Sequence, residues 1–148
     1  MPPEERFPPD DPRAWLSRAR SNLARAGESS DDVFFEDLCF DAQQAAEKAL
    51  KALCMHRSLE FPYVHDLSTL ITLLQQEGET IPEEVQEAGR LTRYAVETRY
   101  PGLAEPVTED EHEKAVTLAE QTVRWVEQRI NSSGEPPEST AADDDEGE

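Results

Sequence analysis

Two clusters of side chains in this 148-residue sequence carry groups that can do chemistry. The first is Gln43, Gln44, Glu47, Lys48 and Lys51. Two amides, a carboxylate and two ammonium groups fall within about two turns if the stretch is helical. Such a set binds a polar ligand, forms a buried network between helices, or lies in water as an ordinary charged face. The second cluster is Thr92-Arg93-Tyr94-Ala95-Val96-Glu97-Thr98-Arg99-Tyr100-Pro101-Gly102, where two Arg-Tyr dipeptides precede a proline–glycine stop. Guanidinium and aromatic groups together can stack on a base and hold a phosphate. They serve equally well as interface anchors.

Other chemistries find less support. Glu109-x-x-His112 has the carboxylate–histidine spacing of half a di-iron site, but no second copy occurs. Cys39 and Cys54 match no zinc spacing, so no metal is expected. There is no nucleophile elbow, and with six glycines no loop is built to cradle phosphates by backbone amides. No cofactor is expected.

The elements that position these residues read as helices. The stretch from Asp31 to about Arg57 places Phe35, Leu38, Ala42, Ala45, Ala46, Ala49, Leu50 and Leu53 at three- and four-residue steps, one buried face of a helix. Its alanines let a neighbour approach closely. Asp31 and Asp32 are the expected N-caps. Phe40 breaks the pattern: it falls on the polar side, where a monomer would leave it wet. Asp11-Pro12 opens an earlier helix that ends at Gly27. That helix carries Arg13, Arg18, Arg20 and Arg25 and no acid, which makes it the one basic element. It reads as two solvated flanks, as a local anion or RNA contact, or as a seam for an acidic partner. Asp66 caps a third helix that closes at Gly78. A fourth runs from Ile81-Pro82 to about Arg99. Thr108-x-x-Glu111 is a capping box for a fifth, ending near Ile130. The expected fold is all-α: an antiparallel up-and-down bundle of about five helices over residues 11–130. An irregular arm (1–10) precedes it and a disordered acidic tail (131–148) follows.

The formal net charge is −19. The last 18 residues hold seven acids and no base, which leaves −12 on residues 1–130. Non-specific nucleic-acid binding is therefore disfavoured, and RNA stays open only through the basic helix. The two cysteines lie fifteen residues apart on one helix, about 22 Å along its axis, and cannot bond there. Free thiols point to the cytoplasm. No apolar run is long enough for a membrane span.

Three blocks together resemble the HEPN (higher eukaryotes and prokaryotes nucleotide-binding) family. They are Phe40-Asp41-Ala42-Gln43-Gln44-Ala45-Ala46-Glu47-Lys48-Ala49-Leu50-Lys51-Ala52-Leu53, then His65-Asp66-Leu67, then Tyr94-x-x-Glu97-x-Arg99-Tyr100-Pro101-Gly102. The resemblance implies a compact helical bundle, commonly a homodimer. It also implies, for many bacterial and archaeal members, a place beside a minimal nucleotidyltransferase in a toxin–antitoxin-like pair. The best-known activity is metal-independent RNA cleavage by an R-x(4–6)-H arginine and histidine brought together across the dimer. The histidine moves protons and the arginine stabilises phosphorane charge. Here Arg57 and His65 have seven residues between them, and Arg99 and His112 have twelve. The expectation is a non-ribonuclease, nucleotide- or substrate-binding dimer. The alternatives are a ribonuclease using Arg99 with His65, and a purely structural interaction module. Gln43, Gln44, Glu47, Lys48, Lys51, His65, Asp66, Arg93, Tyr94, Arg99 and Tyr100 are the ligand or interface candidates, and Phe40 the dimer contact.

Overall fold

Asp11 starts the first helix as its position before Pro12 predicts. Its carboxylate accepts the Arg13 backbone N–H at 2.8 Å, and α1 spans Pro12–Ala26. The computed structural model describes residues 7–96 and 106–134. The central helix, α2, spans Phe35–His56 and begins later than expected. Asp31 and Asp32 do not cap it. They lie in a turn closed by Val33 N–H on the Ser30 carbonyl, and the N-cap position falls to Phe34, which lends no side-chain bond. Asp66 caps α3 (Leu67–Gln76) by accepting from Ser68 N–H at 3.0 Å. The capping box of α6 (Glu109–Gly134) closes in both directions, through Glu111 N–H to Thr108 Oγ1 at 3.1 Å and Thr108 N–H to Glu111 Oε1 at 3.4 Å. This helix continues past Ile130 through residues 131–134. Most of the acidic tail lies outside the described residues.

The fourth helix is broken where the periodicity predicts continuity. It is divided into α4 (Glu83–Gln86), a 3-10 helix (Glu87–Thr92) and α5 (Arg93–Val96). Gly89 lies within the 3-10 part and faces α3. A Cβ there would sit 2.6 Å from Ser68 Oγ, so a larger residue would have to push the Ser68 hydroxyl aside. Gly89→Val is expected to lower stability by about 2 kcal/mol, within the usual cost of overpacking. Ser68→Ala in the same chain should recover part of the loss. Urea unfolding in which Gly89→Val matched the parent would show that the approach is not tight.

α2 is the axis of the bundle. Ala42, Ala45, Ala46 and Ala49 are fully buried, and α1 and α6 pack along it. α1 runs antiparallel to α2: Asn22 meets Asp41, while Trp15 lies over Lys51 further down. α6 runs parallel to α2. Phe35 stacks on His112 at one end, and Arg57 and Arg129 share the Glu79 carboxylate at the other. The 57–66 connection leaves α2 through Ser58, at φ 59°, with Leu59 N–H on the Cys54 carbonyl at 2.8 Å. It then returns along α2 to bring His65 beside Glu47. α3 therefore starts at mid-helix and runs with α2, and the 83–96 segment turns back against it: Thr92 Oγ1 accepts from Leu67 N–H at 3.0 Å.

Glu79 clamps the far end. Its side chain is 2% exposed and accepts from Arg57 Nη1 at 2.6 Å and Arg129 Nε at 3.0 Å. Arg57 Nη2 also donates to the Glu77 carbonyl at 2.7 Å. Cys39 and Cys54 are buried free thiols. Burial pushes Cys39 up to about 12, helped by the carboxylates of Glu111 and Glu36. Burial raises Cys54 to about 11 against the pull of Lys51. Among the described residues there is no strand, and no helix is long and apolar enough to cross a membrane.

Candidate functional site

The polar residues of α2 separate into two groups that face different neighbours. Gln43, Glu47 and Lys51 stand four residues apart on one stripe, and all three are buried. Lys51 Nζ donates to Glu47 Oε2 at 2.8 Å. Gln43 Nε2 donates to Glu47 Oε1 at 2.9 Å and to the His65 carbonyl at 3.1 Å. His65 Nδ1 lies 3.0 Å from Glu47 Oε1, and Gln44 Nε2 donates to Gln43 Oε1 at 2.8 Å. Of the three sequence readings for this cluster, the Glu47 group is the buried network. Burial alone would raise the Glu47 carboxyl, but hydrogen bonds from Lys51, His65 and Gln43 outweigh it and hold the group below its ordinary value. The Lys51 ammonium is roofed by the rings of Trp15 and Phe61, with centroids at 5.8 and 5.7 Å.

The Glu47 carboxylate is engaged within the chain by Lys51, Gln43 and His65. What it does is orient His65. The network fixes the ring through Nδ1, and the histidine side chain is 48% exposed. With Nδ1–H on a carboxylate, the neutral ring presents Nε2 as an acceptor. Asp66 is exposed and spent on its cap. It borders an open groove of about 410 Å³ lined also by Glu60, Ser68, Thr69 and Thr72. Two carboxylates and no cation make that groove a poor place for a phosphate.

Lys48 belongs to the other group, on the α1–α2 seam. Its Nζ donates to Asn22 Oδ1 at 2.7 Å. Asn22 Nδ2 donates to Asp41 Oδ1 at 3.0 Å, and Arg25 Nη2 lies 3.3 Å from the same oxygen. The Lys48 ammonium is held below the usual lysine value by burial and by Arg18 and Arg25, against Glu47 and Asp41, which favour its charge.

The arginine–tyrosine cluster is only half within the described residues. Tyr94 is buried, and its hydroxyl donates to Glu111 Oε2 at 3.1 Å, with Arg93 Nη1 at 3.7 Å from the same oxygen. Burial raises the Tyr94 phenol, and the neighbouring Cys39 and Glu111 add to it. This pair fastens α5 to the start of α6. Arg99 and Tyr100 lie outside the described residues, and so does any Arg99–His65 pairing. Phe40 corrects the expectation of a wet ring: it is half-buried within the chain. The exposed aromatic rings among the described residues are Phe34 and Tyr63. His112 is buried, 2.6 Å from the Ala26 carbonyl through Nε2 and stacked on Phe35. Its ring is thus a structural strut, and no cluster able to hold a metal ion occurs among the described residues.

Sequence reasoning passed over Asn22, Glu79 and Arg129. Asn22 had a visible signal, being a polar residue within the apolar stripe Leu16, Ala19, Leu23 and Ala26. Glu79 had none, because its partners lie 22 and 50 residues away.

The HEPN domain family model matches residues 12–129. The crystal structure of TT1696 from Thermus thermophilus is 36% identical, covers 80% of this chain and 97% of its own, and superposes with a TM-score of 0.70. The crystal structure of ST0689, an archaeal HEPN homologue, is 24% identical over 81% of this chain and 98% of its own, with a TM-score of 0.67, and supports the fold. No protein of curated function matches the chain.

Proposed function

This chain belongs to the HEPN domain family, and from that premise we propose that it is a non-ribonuclease, nucleotide- or substrate-binding subunit, a homodimer serving a minimal nucleotidyltransferase in a toxin–antitoxin-like pair, with a nucleotide as the favoured ligand. The observation that carries the reading is where its arginines and histidines are spent. Arg57, in the shorter of the two off-length Arg–His spacings, is clamped on Glu79 and the Glu77 carbonyl. His112, in the other, is buried on the Ala26 carbonyl. Neither group is available to a scissile phosphate.

Light scattering of the full chain should give a dimer, calorimetry should register a nucleoside triphosphate, and affinity purification from the native host should recover a nucleotidyltransferase identified by mass spectrometry. Absence of both the enzyme and any nucleotide binding would sink the proposal. One observation favours a ribonuclease instead: His65 is half-exposed and oriented by a buried carboxylate, the arrangement of a general base. RNA cleavage by the parent that disappears in His65→Asn would establish that alternative. No cleavage by either protein is the expected result.

A further inference from the structure

We propose that the α1–α2 seam binds phosphate, and that its occupant is the polyphosphate chain of a nucleotide. The inference rests on the nucleotide-binding reading above and adds the place where the phosphates sit. Arg18, Asn22 and Arg25 stand at i, i+4 and i+7 on α1, on one face. Asp41 and Lys48 face them from α2, joined through Asn22 by the bonds at 2.7 and 3.0 Å. Arg25 pairs with the Asp41 carboxylate, Lys48 reaches it through Asn22, and Arg18 stands beside them on the same face of α1. Asp41 holds Arg25 and Asn22 in position, and the cations of the seam outnumber the carboxylates that face them, Asp41 and Glu47.

In a chain of net charge −19, this is a place where positive groups crowd one another. Both arginines are exposed, and Arg18 makes no hydrogen bond or ion pair among the described residues. Burial lowers the Lys48 ammonium most, and the repulsion from Arg18 and Arg25 that adds to it becomes attraction once an anion lies between the three groups. Guanidinium forks match phosphate oxygens in two-point geometry, and the ammonium adds a point charge. Arg18 and Arg25 stand about 10 Å apart along the axis, so their forks can engage neighbouring phosphates of one ligand. A long polynucleotide would meet the negative field of the rest of the chain, which a small ligand largely avoids.

The test is calorimetry on the full chain with ATP, pyrophosphate, adenosine and a short single-stranded RNA. Arg18→Gln and Arg25→Gln are each expected to weaken ATP about fivefold to tenfold, the loss of one charged hydrogen bond at an exposed site. Arg13→Gln, at the far end of α1 and paired with Asp11, should bind as the parent does. Pyrophosphate should compete with ATP and adenosine should not. If the parent binds ATP and both seam variants bind it equally well, the seam is not the site, while the nucleotide reading survives. If the parent binds no nucleotide, that reading falls and takes the seam with it. Arginine-dependent binding of RNA without ATP binding would overturn the proposal in favour of a polynucleotide contact.

Discussion

Lys51→Met is expected to cost about 3–5 kcal/mol, the usual consequence of removing one partner from a buried ion pair. Lys51 and Glu47 are 7% and 5% exposed at their side chains. Methionine keeps most of the stem under Trp15 and Phe61 but leaves the carboxylate with no opposing charge. Urea unfolding at neutral pH measures the loss. Its pH dependence carries the sign. In the parent the Glu47 carboxyl is lowered from 4.5, so its contribution is complete above that value and is lost as pH falls through the lowered one. In the variant burial should dominate and raise the group. Stability then increases as pH falls, and the gap between the two proteins narrows in acid. Glu47→Leu added to Lys51→Met should restore most of the loss, because no charge remains to strand. Equal instability of the single and double variants would mean that packing, not charge, holds this stripe.

Glu79→Ala should cost about 2–3 kcal/mol, less than the Lys51 change, because the two arginines it abandons are 30% and 43% exposed and can turn to water. The carboxylate fastens the end of α2, the turn after α3 and the last third of α6 at one point. Its removal should loosen all three together. Arg129→Ala removes one of the two clamps and should cost about 1 kcal/mol. Hydrogen exchange would locate the effect. Faster exchange at 52–57 and 124–130, with the α1–α2 seam unchanged, is the expected pattern. Uniform acceleration would instead mark Glu79 as a general contributor to stability.

The bundle was legible because helix signals are local. Asp11-Pro12, Asp66 and the Thr108–Glu111 box mark starts within a few residues of the sequence they organise. What sequence alone does not resolve is long-range. Asp31 and Asp32 look like caps, but the chain first completes a turn at 30–33. Gly89 looks tolerable within a helix until Ser68 of α3 arrives beside it. The five polar residues of α2 form one cluster in sequence, yet Lys48 bonds to Asn22 of α1, while Glu47 faces the returning 57–66 connection. Which helix covers which side of α2 decides that division. Periodicity places residues on a face but does not name the face's neighbour. The same limit applies to Phe40, whose angle on the helix wheel is right but whose surroundings are not empty.

The two buried cysteines make this bundle a natural clock for its own opening. A thiol held at about 12 or about 11 is protonated throughout the neutral range, and attack on an alkylating or disulfide reagent requires the thiolate. While the helices stay together, both sulfurs are chemically silent. Each becomes reactive only when its own stretch of α2 is released, and the two stretches lie about 22 Å apart. Cys39 keeps time for the end where α5 and α6 begin, and Cys54 for the end gathered by Glu79. Their rates of modification therefore separate fraying at either pole from dissolution of the whole domain.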